Sequence, residues 1–146
     1  MGLTRQFDNK KIFLDTAPLI YYIEENPLYE AFLNDLFSSH EKKKRQFVSS
    51  VITLIEVLVL PIREGNKALS EAYEKILSNS RSIDIFDINT NIAKIAAQLR
   101  ADYSLKTPDA IQLATAIYTS ADFFLTNDKR LQMVKEVKVI TLNDIQ

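Results

Sequence analysis

Short apolar runs alternate with longer amphipathic ones along this chain, and the two kinds follow different periods. Residues 11–15, 46–49, 83–86, 122–126 and 137–141 are brief and rich in Ile, Val, Phe and Leu, as buried strands are. Between them, apolar positions recur at helical spacing. Residues 16–25 predict a first helix, with Pro18 tolerable in its first turn, and residues 27–39 a second, with Leu28, Phe32, Leu33, Leu36 and Phe37 inward. Ser49 or Ser50 can cap a third that runs toward Pro61. Residues 66–78 place Leu69, Ala72, Tyr73, Ile76 and Leu77 on one face, and residues 89–103 do the same with Ile92, Ile95, Ala96 and Leu99. Thr107-Pro108-Asp109 reads as an N-cap, an N1 proline and a first-turn acid ahead of a helix to Thr119. Strands alternating with helices predict an α/β protein: a three-layer α/β/α sandwich around a central, mainly parallel sheet. A single domain over residues 1–146 is expected, since the chain has only two glycines and four prolines and no repeat or low-complexity linker.

Four acids disturb this apolar pattern. Asp15 ends Lys11-Ile12-Phe13-Leu14, and Glu56 interrupts Val51-Ile52-Thr53-Leu54-Ile55 and Val57-Leu58-Val59-Leu60. Asp109 opens the apolar helix after Pro108, and Asp128 follows Phe123-Phe124-Leu125-Thr126-Asn127. A carboxylate among core-forming residues is costly to bury unless paired or bound to a cation. Two such charges roughly 5 Å apart repel by about 3 kcal/mol at an effective dielectric near 20. Taken singly, Asp15, Asp109 and Asp128 suit helix caps and turns equally well. Glu56 does not, because no basic residue lies within one turn of it; it is expected in a poorly solvated setting. Ligands of parallel sheets gather at the carboxyl ends of strands, where two of the four acids fall. An all-oxygen set without His or Cys suits Mg²⁺ or Mn²⁺, and a divalent ion among carboxylates points to phosphate chemistry.

Composition narrows the field. The absence of Cys excludes a disulfide framework, a thiolate zinc site and a cysteine nucleophile. A net charge of −1 argues against a protein that coats nucleic acid through overall charge, though not against a nuclease with a local field. No apolar stretch approaches a membrane span, and residues 1–11 are polar, without a secretory core; a cytoplasmic protein that does not enter the membrane is expected. The single histidine, His40, and the basic run Lys42-Lys43-Lys44-Arg45 read as a solvated loop, and Asp122 as a turn residue.

The segments Ile12-Phe13-Leu14-Asp15-Thr16, Thr53-Leu54-Ile55-Glu56-Val57, Thr107-Pro108-Asp109-Ala110-Ile111-Gln112-Leu113-Ala114-Thr115-Ala116 and Ala121-Asp122-Phe123-Phe124-Leu125-Thr126-Asn127-Asp128-Lys129-Arg130-Leu131 resemble the PIN domain, most closely the small VapC-type ribonucleases of toxin–antitoxin pairs. The resemblance implies a PIN-like sandwich and Mg²⁺- or Mn²⁺-dependent cleavage of RNA. It makes Asp15, Glu56, Asp109 and Asp128 the metal-binding acids, with Thr126 placing a water or phosphate and Asn127 behind it. It also implies an RNA substrate, a cognate antitoxin and a homodimer. Lys106, Lys129, Arg130 and Arg100 are the candidate RNA contacts. Two rivals fit less well. An aspartyl-phosphate phosphatase needs a second Asp where Ala17 stands, and a receiver domain needs its acceptor Asp on a strand. A PIN fold kept as a non-catalytic protein- or RNA-binding module is the alternative.

Overall fold

The computed structural model describes residues 4–38, 42–78 and 81–145. Five strands, β1 (Lys11–Leu14), β2 (Gln46–Ser50), β3 (Ile83–Phe86), β4 (Phe123–Thr126) and β5 (Lys138–Thr141), form one sheet in the order β3-β2-β1-β4-β5, every pair parallel. Among the described residues six α-helices connect and cover them: α1 (Thr16–Ile23), α2 (Glu30–Phe37), α3 (Val51–Arg63), α4 (Lys67–Ser78), α5 (Thr90–Tyr103) and α6 (Thr107–Tyr118). The expected α/β/α sandwich is therefore present.

Strand alternation explains the layers. Ile12 and Leu14, Phe47, Ile83, Phe123 and Leu125, and Ile140 join one core with Leu19, Leu33, Leu36, Val57, Tyr73 and Leu77 from α1 to α4. Phe13, Val48 and Phe124 point the other way, into a second core with Ile92, Ala96, Leu99 and Leu113 of α5 and α6. Since both faces are covered, the strands read as unbroken apolar runs. Phe13 and Phe124, in register on neighbouring strands, stack with ring centroids 5.1 Å apart.

Most predicted elements recur within a residue or two. The departures have local causes. The second helix starts at Glu30, because residues 27–29 form a turn in which Asn26 accepts from the Leu28 N–H; Leu28 is accordingly exposed rather than inward. Ser50, not Ser49, caps α3, accepting from the Ile52 N–H at 3.1 Å, and α3 continues through Pro61 to Arg63. The N-cap of α6 is Lys106, so Thr107 is the first helical residue and Pro108 the second. Arg45 is not part of a solvated run: it is 3% exposed, pairs with Asp8 at 2.7 Å, and donates to the carbonyls of Thr4, Asp35 and Leu36. Lys42 to Lys44 do form a turn, whereas His40 and Glu41 lie outside the described residues. Among the described residues no helix is long and apolar enough to cross a membrane.

Strand order dictates where a site can form. From β1 the chain adds β2 and then β3 on one side, and then crosses to the other side of β1 for β4 and β5. The reversal leaves a crevice beyond the carboxyl ends of β1 and β4. Asp15 immediately follows β1, and Thr126 ends β4.

Candidate active site

Asp15 is held by three donors. As the N-cap of α1, its Oδ1 accepts from the Thr16 N–H at 2.9 Å and from Gln112 Nε2 at 3.3 Å, and its Oδ2 accepts from the Thr126 hydroxyl at 2.8 Å. Burial pushes its carboxyl above the ordinary value; the bonds from Thr126, Thr16 and Gln112 act the other way, and the charge of Glu56 adds to the rise. Thr126 is itself buried, and its oxygen accepts from the Asp128 N–H at 3.1 Å. One hydroxyl thus ties the acid after β1 to the acid after β4.

Asp128 caps the short 3-10 turn 129–133. Both of its oxygens face Arg130, with Oδ1 accepting from the backbone N–H at 3.0 Å and from Nε at 3.1 Å, and Oδ2 from Nη2 at 2.8 Å. The Arg130 side chain holds the Asp128 carboxyl below its ordinary value despite some burial. Asp109, in the first turn of α6, has no hydrogen bond or ion pair among the described residues. Burial first, then the charges of Asp15 and Asp128, raise its carboxyl, with Arg130 and Lys106 partly offsetting them. Two acids are therefore lifted, and part of the lift on Asp109 is mutual repulsion.

Glu56 departs from expectation. It is exposed, not poorly solvated, and accepts from the Thr16 hydroxyl at 2.5 Å. Its apolar neighbours do not bury it, because many of them are exposed too: Ile55 58%, Val59 44%, Leu60 55% and Ile62 65%. Only a narrow stripe of α3, with Thr53, Val57 and Pro61, is buried.

Asp15, Thr16, Ala17, Ile20, Glu56, Asp109, Thr126, Asn127 and Asp128 line one open cavity of ≈ 370 Å³. All four acids and Thr126 thus meet at one place. Among the described residues, however, no three acidic side chains stand close enough to make a ready-made metal cage. Asp128 is turned to Arg130 and Glu56 to Thr16. The donor set still fits a hard cation in kind: it is all oxygen, with the Asp109 carboxylate unpartnered. Asn127 donates to the Tyr21 hydroxyl at 3.0 Å, while its buried Oδ1 has no partner among the described residues, leaving an acceptor beside the acids.

The other sequence candidates separate. Lys106, Lys129 and Arg130 are exposed, and Lys106 and Arg130 act on the charges of Asp109 and Asp128. Arg100 instead braces the loop ahead of α6, its Nε donating to the Leu105 carbonyl at 2.9 Å. Asp122 holds the start of β1, accepting from the Lys11 N–H at 2.9 Å. Thr16 and Gln112 escaped the sequence reading. A lone amide in Ala110-Ile111-Gln112-Leu113-Ala114 was the signal for the second; nothing marked the first.

The structure resembles VapBC2 of Rickettsia felis bound to a DNA fragment from its promoter, with a TM-score of 0.71 at 17% identity over 90% of this chain and 98% of that one. A toxin–antitoxin complex from Klebsiella pneumoniae matches with a TM-score of 0.62 at 28% identity, over 90% and 97% of the two chains. VapC20 of Mycobacterium tuberculosis, a toxin that cleaves the sarcin–ricin loop, matches with a TM-score of 0.63 at 16% identity, over 77% and 86%. Among curated proteins none matches the sequence. The PIN domain family matches residues 12–137, the span that runs from β1 to the residue before β5, and the chain belongs to that family.

Proposed function

We propose that this protein is a Mg²⁺- or Mn²⁺-dependent endoribonuclease, the VapC-like toxin of a toxin–antitoxin pair. The observation that carries the reading is the meeting of Asp15, Glu56, Asp109, Asp128 and Thr126 on one cavity at the switch point of the sheet. Asp15, Glu56, Asp109 and Asp128 would hold the metal. A divalent ion there supplies charge for phosphate oxygens and acidifies a bound water. The chain's own residues supply the rest. Asp15 is oriented by Thr126, Thr16 and Gln112, whose bonds favour its ionised form against the burial that raises its carboxyl. Asp109 contributes a carboxylate free of other partners. Lys106, Lys129 and Arg130 offer cations to the RNA backbone at the rim.

A cognate antitoxin partner is supported by the likeness to structures of toxin–antitoxin complexes. A homodimer is supported by the apolar outer face of α3, where Ile55, Val59, Leu60 and Ile62 face solvent. A cytoplasmic location is in keeping with the absence of Cys. The lack of a ready-made acidic cage favours one rival, a PIN fold kept as a non-catalytic binding module.

A cleavage assay over structured RNAs with Mg²⁺, Mn²⁺ or EDTA separates the two. The nuclease reading expects cleavage with either metal and none in EDTA. Cleavage undiminished by chelator, or RNA binding without cleavage in either metal, refutes it.

A further inference from the structure

Gln112 is 2% exposed on α6, among Ala110, Leu113, Ala114 and Ala116. A primary amide in such surroundings is costly unless its polar atoms are used. Here they are. Its Oε1 accepts from the Ser50 hydroxyl, and its Nε2 donates to Thr53 Oγ1 at 2.6 Å and to Asp15 Oδ1 at 3.3 Å.

The orientation of the amide follows from its neighbours. An ionised carboxylate only accepts, so the atom facing Asp15 must be the nitrogen. The Ser50 oxygen already accepts from the Ile52 N–H, which leaves its proton for the amide oxygen. Ser49 Oγ lies 2.7 Å from the Leu14 carbonyl and 2.9 Å from Thr53 Oγ1. Its single proton goes to the carbonyl, so the Thr53 proton can go to Ser49 and a Thr53 lone pair remains for Gln112. One consistent chain of donors runs from Gln112 on α6 through Thr53 of α3 and Ser49 of β2 to the Leu14 carbonyl at the end of β1.

We propose that Gln112 is a positioning residue for the active site, fixing which oxygen of Asp15 is available to a cation. Each carboxylate oxygen has two lone-pair directions. The Thr16 N–H and Gln112 occupy both at Oδ1, while Thr126 takes one at Oδ2. A single direction on Oδ2 is left for a ligand. The 3.3 Å contact is long, but Gln112 is held in place by its other two bonds. The same amide, through Ser50 and Thr53, also secures the first turn of α3, and Glu56 stands three residues beyond Thr53 on that helix. Two acids from different elements are thereby referred to one buried side chain. Partners that orient metal-binding groups in this way commonly carry about 10–100-fold in metal affinity or activity.

This inference rests on the metal-dependent nuclease reading, so its test reads Mn²⁺ binding as well as cleavage. Gln112→Met keeps the length and apolar stem and removes both donors. Thr115→Val is the control: Thr115 is also buried on α6, but among the described residues its hydroxyl bonds only to the Ile111 carbonyl of its own helix. Mn²⁺ affinity is measured by electron paramagnetic resonance, and folding by circular dichroism.

The expected result is an affinity loss of about tenfold or more in Gln112→Met, a lower kcat at near-unchanged KM for RNA, and wild-type values in Thr115→Val. Gln112→Met with wild-type Mn²⁺ affinity and kcat but a lower Tm makes the residue mere packing and overturns the inference alone. Should Gln112→Met not fold, Ser50→Ala, which frees the carbonyl end of the amide, takes its place, and wild-type affinity there overturns the inference equally. A wild-type protein that neither binds Mn²⁺ nor cleaves RNA overturns the nuclease reading, and this inference with it.

Discussion

Replacing Thr126 with Val removes one oxygen and almost no volume at the junction of two acids. Two bonds are lost, the 2.8 Å donation to Asp15 Oδ2 and the 3.1 Å acceptance from the Asp128 N–H. A hydrogen bond to a charged group contributes about 1.5–3 kcal/mol net. Asp15 keeps its bonds from Thr16 and Gln112, and water can reach the partly buried Asp128 N–H, so the lower half of the combined range applies. We expect Thr126→Val to cost about 2–3 kcal/mol, which lowers Tm by about 6–9 °C in a chain of this size.

The pH dependence identifies the mechanism. The Thr126 bond favours ionised Asp15 against the burial that raises its carboxyl. Without it the folded-state carboxyl rises further. The loss is therefore fully present above the folded-state value and shrinks as pH falls through it, since a protonated Asp15 needs the donor less. Thermal unfolding followed from alkaline pH down through the raised folded-state value to about pH 3, near the ordinary carboxylate range, reads this directly, and Thr126→Ser should restore wild-type behaviour. A stability difference that stays constant over that range would mean that the hydroxyl acts by packing alone, and that the link from Asp15 to Asp128 is incidental.

Three further outcomes follow from the same geometry. Asp109 is raised by burial and by its acidic neighbours, so its ionisation is penalised in the folded state, and that penalty grows as pH rises through the folded-state value; Asp109→Asn should be more stable than wild type at pH 7, equal to it near pH 3, and inactive, as a denaturation series and a cleavage assay will check. Glu56→Gln should cut cleavage yet leave metal-free stability within about 0.5 kcal/mol, because the residue is exposed and an amide oxygen can still accept from Thr16; a gain well above that in urea unfolding refutes the exposed placement. Arg45→Met should cost about 3–5 kcal/mol, since it strips donors from three carbonyls and from Asp8 at a buried site, and a cost below 1 kcal/mol would show that water replaces it.

The parallel sheet was legible because its strands are covered on both faces, which turns Ile12-Phe13-Leu14 and Phe123-Phe124-Leu125 into runs no other architecture explains as simply. The acids at the ends of β1 and β4 were legible for the same reason: polarity resumes where the sheet stops. Glu56 was misplaced by the converse. The sequence Ile55-Glu56-Val57-Leu58-Val59-Leu60 reads as core all round, yet only Val57 of these is buried. Hydrophobic periodicity reports that a face is apolar, not that something in the same chain covers it. Arg45 fails in mirror image. A charge at the end of a basic run looks solvated, and nothing local reveals that Asp8 and three carbonyls wait for it across the fold.

The four acids are not equivalent in how the chain holds them. Asp15 and Asp128 are fixed by bonds present without any ligand, Asp109 is held by its helix alone, and Glu56 rests on one exposed hydroxyl contact. Like charges brought to one cavity repel, and a chain that must fold before any counter-charge arrives lowers that cost by giving some of them partners. Arg130 serves Asp128 in this way through an exposed pair, which is weak in water and so easily exchanged. Among the described residues Asp15 pairs with no cation and relies on neutral donors. Those donors oppose the rise that burial imposes on its carboxyl, and none of them involves Arg130.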